Sequence, residues 1–473
     1  MVENSLPARV ALRCCAWSER WFPDGYAFAV LMVTLVAAAA LLLGVPASDV
    51  AGNFGTGYWG LIPFTMQMTF IIIGGYLTAD SPPIAALTRR LAAVPRSGRG
   101  AIALISLFSM ALALVHWGLS LILASLLARA LSTRDDLRLD YRAAGAAAII
   151  GSGSIWAMGL SSSAAQLQAN PASMPPALLA ITGVVPFSET IFTWQSLVLT
   201  LVVGAVSAWI AWSSAPPDAQ AATAQQLGIR VPVQDHALPA RTRPGEWLEY
   251  SPLLNLVLVA LGGSWLVMEV AAKGLVATIS SLNTYNFIFI MLGLLLQWRP
   301  RRFMSALSRS IPSVAGVLIQ FPLYGAIAAM MTSAKNGAGV TLASQITHFF
   351  TQFTSTHTFA VIVGAYSAVL GIFLPSGGGK WLVEAPYVMQ VANELQYPLG
   401  WAVQIYNAAE ALPNLINPFW MLPVLGIMGL KARDVIGYTF VQFLVHVPLV
   451  LFLLWILGTT TAYHPPVMPA AAP

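Results

Sequence analysis

Charged residues are scarce in this sequence. Of 473 residues only 9% are Asp, Glu, Lys or Arg, whereas about a quarter are charged in an ordinary soluble domain. Apolar residues make up 57% of the chain and the mean hydropathy is +0.73. This composition excludes a soluble globular protein.

Cysteine and nucleotide-binding motifs are equally scarce. Cys14 and Cys15 are the two cysteines, and as chain neighbours they cannot easily bridge each other, which excludes a disulfide framework. The sequence has no Walker loop, no Rossmann glycine pattern and no haem-attachment motif, and His348 and His357 have no companions at metal-ligand spacing. ATP-driven transport and redox chemistry therefore have no supporting residues, and we expect no cofactor.

The charged residues are concentrated in short segments between long apolar runs, which is typical of a chain that crosses a bilayer many times. The basic residues flank the apolar runs and form no single patch, so the net charge of +5 indicates membrane topology rather than nucleic-acid binding. About nine apolar stretches are long enough to cross roughly 30 Å of hydrocarbon. They lie at 26–44, 58–79, 142–160, 187–213, 251–270, 282–298, 312–332, 399–425 and 433–458.

Two further apolar regions do not fit a simple span. Arginine clusters precede and follow region 100–130, and a single crossing would place them on opposite faces of the membrane, against the positive-inside bias. A re-entrant hairpin that turns near 116–118 returns both clusters to one face. Region 357–395 predicts a second hairpin that enters from the opposite side.

The resulting fold is an all-α polytopic membrane protein with two inverted-topology repeats. The repeats cover 26–213 and 251–458, and a cytoplasmic linker at 214–250 joins them. A cytoplasmic leader at 1–25 precedes the repeats, and a Pro/Ala tail at 459–473 that carries no ordering signal follows them. In this arrangement the N-terminus lies inside and the C-terminus outside.

Three consecutive glycines interrupt the second hairpin, and each costs a helix about 1 kcal/mol relative to Ala. A turn that exposes backbone N–H groups and opens a new helix N-terminus would cradle an anion there. A tight turn or close helix packing is the alternative. The predicted substrate-binding residues of this hairpin are Ser376, Gly377, Gly378, Gly379, Lys380 and Trp381.

Polar residues interrupt three more apolar segments: the first hairpin and the spans broken at 159–163 and 413–418. Hydroxyl and amide oxygens at such breaks suit a substrate carboxylate or a small hard cation such as sodium, although any Pro-broken helix also needs them to satisfy its freed backbone. The predicted members are His116, Trp117, Gly118 and Ser120 in the hairpin, Ser161 and Ser162 in the first broken span, and Asn414 and Asn417 in the second, where sodium would also bind.

Glu410 is a carboxylate inside a predicted span, and such a residue is a functional candidate by default. The alternatives are a position near the outer interface or a pair with Lys380, although Glu384, four residues after Lys380, could make that pair on one helical face. If transport is coupled to protons, Glu410 or His116 is the expected carrier. If it is coupled to sodium, the oxygens near Asn417 are the expected ligands.

Two motifs are specific to a known family: Pro-Ser-Gly-Gly-Gly followed by Trp at 375–381, and Pro-Phe-Trp at 418–420. Through them the chain resembles the bacterial short-chain fatty acid transporter family of butyrate and acetoacetate uptake. The resemblance implies a proton- or sodium-coupled secondary transporter of the inverted-repeat group, in the cytoplasmic (inner) membrane, and no enzyme activity. The sequence departs from the family pattern at His116, where Asn is usual, and at Lys380, where His is expected. Weaker matching segments lie at 18–24, 57–59, 66–68, 283–286 and 320–322.

A short fatty acid is one carboxylate with a few CH₂ groups, each worth about 0.8 kcal/mol when buried, so its site must combine a polar cradle with a small apolar pocket. We expect Trp117, Phe373, Trp381 and Phe419 to line that pocket. The expected partners are a short-chain monocarboxylate and the lipid bilayer, without nucleic acid, and a homodimer stays open. Three alternatives remain: a di- or tricarboxylate carrier of related fold, a channel, and a membrane-embedded enzyme, for which no nucleophile–base pair is apparent.

Overall fold

The computed structural model describes most of the chain. The described residues are 25–169, 176–231, 238–275, 281–375 and 377–468, with positions 9, 10, 13, 17, 20, 21, 171, 174 and 278. Ser376, Cys14 and Cys15 lie outside them.

These residues fold almost entirely into α-helices, which confirms the predicted all-α polytopic fold. The first half contains α1 (Gly25–Leu42), α2 (Ala47–Gly60), α3 (Ile62–Ala79), α4 (Pro82–Ala92), α5 (Gly98–Val115), α6 (Trp117–Ser132), α7 (Tyr141–Ser154), α8 (Ser163–Ala169), α9 (Pro176–Thr182) and α10 (Trp194–Ser214). The second half contains α11 (Glu246–Tyr250), α12 (Leu253–Lys273), α13 (Leu282–Gln297), α14 (Pro300–Thr332), α15 (Leu342–Thr351), α16 (Phe359–Phe373), α17 (Gly377–Glu394), α18 (Leu399–Ala411), α19 (Pro418–Met428) and α20 (Ala432–Gly458). Among the described residues β-pairing is limited to one isolated bridge between Gly183 and Val467.

By length and composition, seven of the described helical runs can cross a membrane, or eight if α18 and α19 form one bent span. The predicted spans at 26–44 and 282–298 are not among these runs, whereas α5, which the sequence analysis assigns to the hairpin at 100–130, is long and apolar enough to be counted. The predicted span at 312–332 begins earlier than expected, since α14 runs for 33 residues and contains Pro312 and Pro322. Packing against neighbouring helices allows such internal prolines.

The helix pair predicted for 100–130 is present, with its break at the predicted place. Between α5 and α6, His116 has an extended backbone (φ −155°, ψ 105°), and its Nδ1 atom accepts a hydrogen bond from Leu119 N–H (3.1 Å). His116 is therefore the N-cap of α6. The two helices pack against each other.

Both predicted broken helices are also present, one of them with a shifted break. α7 ends at Ser154, several residues before the predicted break at 159–163, and a 3₁₀ turn (Trp156–Met158) follows. Gly and Ser alternate over the last turn of α7, and their low helix propensity favours this earlier end. In the second half, a 3₁₀ turn (Leu412–Leu415) separates α18 from α19, and the axis bends by 53°.

The helices form two packed groups. One consists of α1, α2, α3, α12, α13 and α14, and the other contains α5, α6, α7, α10, α16, α18 and α20. The groups meet where α3 and α14 pack against α6 and α19. The first-hairpin turn and both helix breaks belong to the second group, and α17, whose first residues Gly377–Gly379 are called the glycine turn, packs against this group.

The linker and the tail both pack onto the helices. Tyr141 N–H donates to Ala222 O (2.9 Å), and Asp140, the N-cap of α7, also accepts from Ala222 N–H (3.0 Å). In the tail, Val184 N–H donates to Val467 O (2.8 Å). This contact could not be predicted from the sequence of the tail, because backbone pairing of this kind leaves no side-chain pattern.

Candidate functional site

The glycine turn at the start of α17 lies against the broken helix of the first half. A Cβ atom on Gly377 would come within 2.5 Å of the Trp156 ring, and one on Gly378 would lie 3.4 Å from Ser163 Cβ. Tyr406 donates its hydroxyl hydrogen to Gly377 O (2.6 Å). Gly377 is thus needed for close approach to Trp156, and the turn is held between elements of both halves.

Lys380 lies one turn into α17 and is completely buried with two carboxylates. Its Nζ atom is 2.7 Å from Glu410 Oε2 and 3.1 Å from Glu384 Oε1, and all three side chains are 0% exposed. Nζ also donates to the Ser367 carbonyl (2.7 Å) and hydroxyl (2.8 Å). The structure therefore brings together both candidate partners of Lys380, and the ammonium group already contacts four oxygens.

The charge of this cluster does not balance when every group is ionised, because one ammonium faces two carboxylates. Among the described residues no hydrogen-bond donor contacts Glu410 Oε1. Burying an uncompensated charge costs several kcal/mol. Two carboxylates at one site repel each other when both are ionised, so the pair holds one shared proton more readily than an isolated carboxylate does. The cluster is therefore chemically suited to take up and release one proton.

Tyr406 connects this charged cluster to the glycine turn. Its ring lies 4.6 Å from Lys380 Nζ and 4.6 Å from the ring of Trp381, while its hydroxyl binds Gly377 O. A cation over an aromatic face is stabilised by the ring quadrupole. Tyr406 was not predicted as a site residue, although it lies one helical turn before Glu410.

The predicted asparagines and serines take different roles. Asn417 caps α19: its Oδ1 accepts from Phe419 N–H (3.0 Å) and its Nδ2 donates to Ile372 O (2.9 Å). Asn414 Nδ2 donates to Ser152 O (2.9 Å), while its Oδ1 has no partner among the described residues. Ser161 Oγ is likewise buried without a described partner.

Ser162 begins a buried chain of polar side chains. Its hydroxyl donates to Asn407 Oδ1 (2.8 Å), Asn407 Nδ2 donates to Gln404 Oε1 (2.5 Å), and Gln404 Nε2 donates to Ser196 Oγ (2.8 Å). The chain joins α8, α18 and α10. Satisfied buried networks of this kind fix helix positions.

The first hairpin turn packs against α13. The His116 ring lies 4.3 Å from Tyr285 and 4.4 Å from Phe289 between centroids. A Cβ on Gly118 would clash with Ile71, so this glycine permits the approach of α6 to α3. Ser120 donates to Ser109 O (2.7 Å) and so ties the two arms of the hairpin together.

Three tryptophans connect the two turns, and they are called the tryptophan cluster below. Trp117 packs edge-on against Trp420 (5.1 Å between centroids), and Trp420 lies 6.2 Å from Trp156, which contacts Gly377. Trp156 and Trp420 were not predicted, although Trp420 belongs to the Pro-Phe-Trp motif. Aromatic residues inside an apolar span carry no sequence signal that separates packing from binding.

The other predicted apolar residues are near this cluster or buried beside it. Phe419 stacks on Phe321 (3.9 Å) and packs edge-on against Tyr324 (4.7 Å). Phe373 is half-buried at the end of α16, and Trp381 is fully buried.

A serine–histidine pair exists outside this region. Ser207 Oγ lies 2.7 Å from His446 Nε2, and both side chains are 0% exposed. His446 Nδ1 contacts Gln442 O (2.7 Å), and Gln442 donates back to Ser207 O (2.9 Å). These bonds join α10 to α20 and leave no described access for a substrate. In the described part of the chain no three His, Cys, Asp or Glu side chains group as metal ligands.

The fold and the site define a membrane-embedded helical protein with broken helices around a buried ionisable cluster. The family model described as "Short chain fatty acid transporter" matches residues 6–457. The chain belongs to the short-chain fatty acid transporter family, and the protein is a transporter and not an enzyme.

Two relatives extend over nearly the whole chain, and both carry the name "Putative short-chain fatty acid transporter". The protein of Escherichia coli (strain K12) is 33% identical over 423 residues, which cover 89% of this chain and 93% of that protein. The protein of Haemophilus influenzae is 29% identical over 458 residues, 95% of this chain and 100% of that protein.

Two solved structures are also similar. The Neisseria gonorrhoeae antimetabolite efflux pump MtrF is 14% identical with a TM-score of 0.49, over 97% of this chain and 100% of that one. The Alcanivorax borkumensis YdaH transporter is 16% identical with a TM-score of 0.41, over 92% and 98%.

Proposed function

We propose that the protein is a proton-coupled carrier of short-chain monocarboxylates such as butyrate and acetoacetate. One observation carries the coupling: the fully buried Lys380 is shared by Glu384 and Glu410, so that the cluster is neutral with one added proton. Carrying a lone anion into a cell against an inside-negative potential costs about 2.3 kcal/mol per 100 mV. A proton carried on Glu410 removes this cost.

The glycine turn is the proposed site of the substrate carboxylate. α17 begins at Gly377, and the first N–H groups of a helix have no intrahelical partner and favour an anion. Ser161 offers a buried hydroxyl, and Trp117 of the tryptophan cluster supplies apolar surface for a short chain. Lys380 contributes through its carboxylate partners rather than as a direct anion ligand, because its ammonium already contacts four oxygens.

Protons are favoured over sodium because, of the two asparagines predicted to bind sodium, only Asn414 has an amide oxygen without a partner among the described residues, and a hard cation is held by several oxygens. Asn417, a predicted sodium ligand, is engaged as a helix cap. His116 is less suited than Glu410 to carry the proton, because its Nδ1 already accepts a bond from Leu119 N–H. Protonation there would break the α6 cap.

The test is radiolabelled butyrate uptake in proteoliposomes under separately imposed pH and sodium gradients. In the Glu410→Gln variant we expect the pH gradient to lose its ability to drive accumulation, while exchange of labelled for unlabelled butyrate continues. Glu249→Gln, which alters an exposed ion pair with Arg301, is the matched control and should accumulate butyrate normally. Accumulation driven by sodium alone, or unchanged pH-driven accumulation in Glu410→Gln, would refute proton coupling. Stronger competition by succinate than by butyrate would instead favour a dicarboxylate carrier.

The proposal includes the topology. We place the repeats 26–213 and 251–458 in inverted orientation in the bacterial inner membrane, with the N-terminus inside and the C-terminus outside. The helix breaks at matching places in both halves support this arrangement. A periplasm-active alkaline phosphatase fused after the tail should be active, and one fused in the linker 214–250 inactive.

A further inference from the structure

Among the described residues, the buried indole N–H groups of Trp156, Trp381 and Trp420 have no hydrogen-bond partner, and Trp156 and Trp420 belong to the tryptophan cluster. Trp156 is 3% exposed and Trp420 6% exposed, and neither Nε1 atom has a hydrogen-bond partner among the described residues. Buried donors are nearly always paired, because an unpaired one has lost its bond to water. Two such donors in one aromatic cluster therefore point to a ligand that accepts hydrogen bonds.

Trp156 lies where the start of α17 meets the first half of the chain, and Trp420 is the neighbouring ring of the same cluster. The ring atom Cζ2 of Trp156, two bonds from Nε1, lies 3.2 Å from the position of a Cβ on Gly377. Trp420 packs on Trp156 at 6.2 Å between centroids, with the planes 38° apart. The first residue of the 18-residue helix α17 is thus in contact with one of the two tryptophans, and the second packs on the first.

We infer that Trp156 and Trp420 are carboxylate ligands of the transport site, each donating its indole N–H to the substrate head group. This inference rests on the proposed function and adds two residues to it. A carboxylate has two oxygens that only accept, so it can satisfy both donors, and a hydrogen bond to an ionised group is stronger than one between neutral groups. Indole N–H groups carry no charge. They can therefore bind the anion without adding a positive charge to the transport site.

Packing within the tryptophan cluster holds the two donors in place. Indole rings are rigid, and the third member of the tryptophan cluster, Trp117, closes one side of Trp420 at 5.1 Å. Donors held in a packed cluster lose little conformational freedom on binding.

The test measures inhibition constants for propionate, butyrate and valerate against labelled butyrate uptake in proteoliposomes. Trp156→Phe and Trp420→Phe remove the N–H and keep an aromatic ring. We expect each to weaken all three acids by the same factor, about tenfold, because the head group is common to all of them. A factor that increases with chain length would show that the ring packs on the tail instead, and it would overturn the inference, as would unchanged constants.

Trp401→Phe is the matched control. Trp401 is also buried, but its Nε1 donates to Leu454 O (3.0 Å), so the control should lower thermal stability and leave the three inhibition constants unchanged. If a phenylalanine variant fails to fold, replacement of the same tryptophan by benzothienylalanine, which has sulfur in place of the N–H, gives the same comparison. Wild-type protein without saturable butyrate uptake would refute the proposed function, and the inference with it. Normal wild-type uptake with unaffected variants would refute the inference alone.

Discussion

The charges around Lys380 predict that its replacement destabilises the protein more than replacement of Glu410 does. Lys380→Met leaves Glu384 and Glu410 together in a site where all three side chains are fully buried. Removing one partner from a buried ion pair costs about 3–5 kcal/mol. Glu410→Gln instead leaves one ammonium with one carboxylate, so its cost should be close to that of one lost hydrogen bond, about 1 kcal/mol.

The measurement is equilibrium unfolding in mixed detergent micelles, followed by tryptophan fluorescence. Lys380→Met should lose at least about 2 kcal/mol more of the free energy of unfolding than Glu410→Gln, by the difference of those two costs. The neutral triple variant, Lys380→Met with Glu384→Gln and Glu410→Gln, should regain most of that loss. Equal destabilisation by Lys380→Met and Glu410→Gln would show that Lys380 needs both carboxylates ionised, and would refute the argument for a shared proton.

Two further predictions concern the close packing at Gly377 and the ion pair between the end of α3 and α14. Gly377→Ala should reduce butyrate uptake at least tenfold, because its Cβ would lie 2.5 Å from the Trp156 ring. Gly263→Ala, where a Cβ meets open space, should leave uptake unchanged. Equal uptake by the two variants would contradict this prediction. Asp80→Asn should lower the free energy of unfolding by about 2 kcal/mol, because fully buried Asp80 pairs with Arg309 of α14 (2.5 Å). An unchanged free energy of unfolding would show that the ion pair contributes nothing to stability.

The helical architecture could be predicted from the sequence because it depends on composition and on local backbone chemistry. The breaks near His116 and at 413–418 are marked by Gly, Pro and capping residues, and both occur as expected. The end of α7 was placed too late, because the Gly and Ser residues that weaken its last turn also occur inside intact membrane helices. Span counts were less secure, since hydropathy does not fix where a helix ends.

The charged cluster could be predicted only in part. The spacing of Lys380 and Glu384 follows from helix periodicity and indicates a pair, and the structure places both in contact. Glu410 comes from another helix, and no sequence pattern shows that it reaches the same ammonium. The roles of Trp156 and Tyr406 depend on tertiary contacts with Gly377, a residue far away in sequence from both.

The glycines explain why the charged cluster and the glycine turn form one unit. Gly371 in α16 lets that helix approach the cluster: a Cβ there would lie 3.3 Å from Glu410 Oε2 and 3.5 Å from Lys380 Nζ. On the other side, Tyr406 binds Gly377 O and stacks on the same ammonium. A change in the charge of Glu410 therefore acts on groups that directly hold the turn. Linkage between two binding sites is reciprocal. If a substrate at the turn raises the affinity of the cluster for a proton, protonation raises the affinity of the turn for the substrate by the same factor. This coupling is the thermodynamic requirement for moving an acid and a proton together.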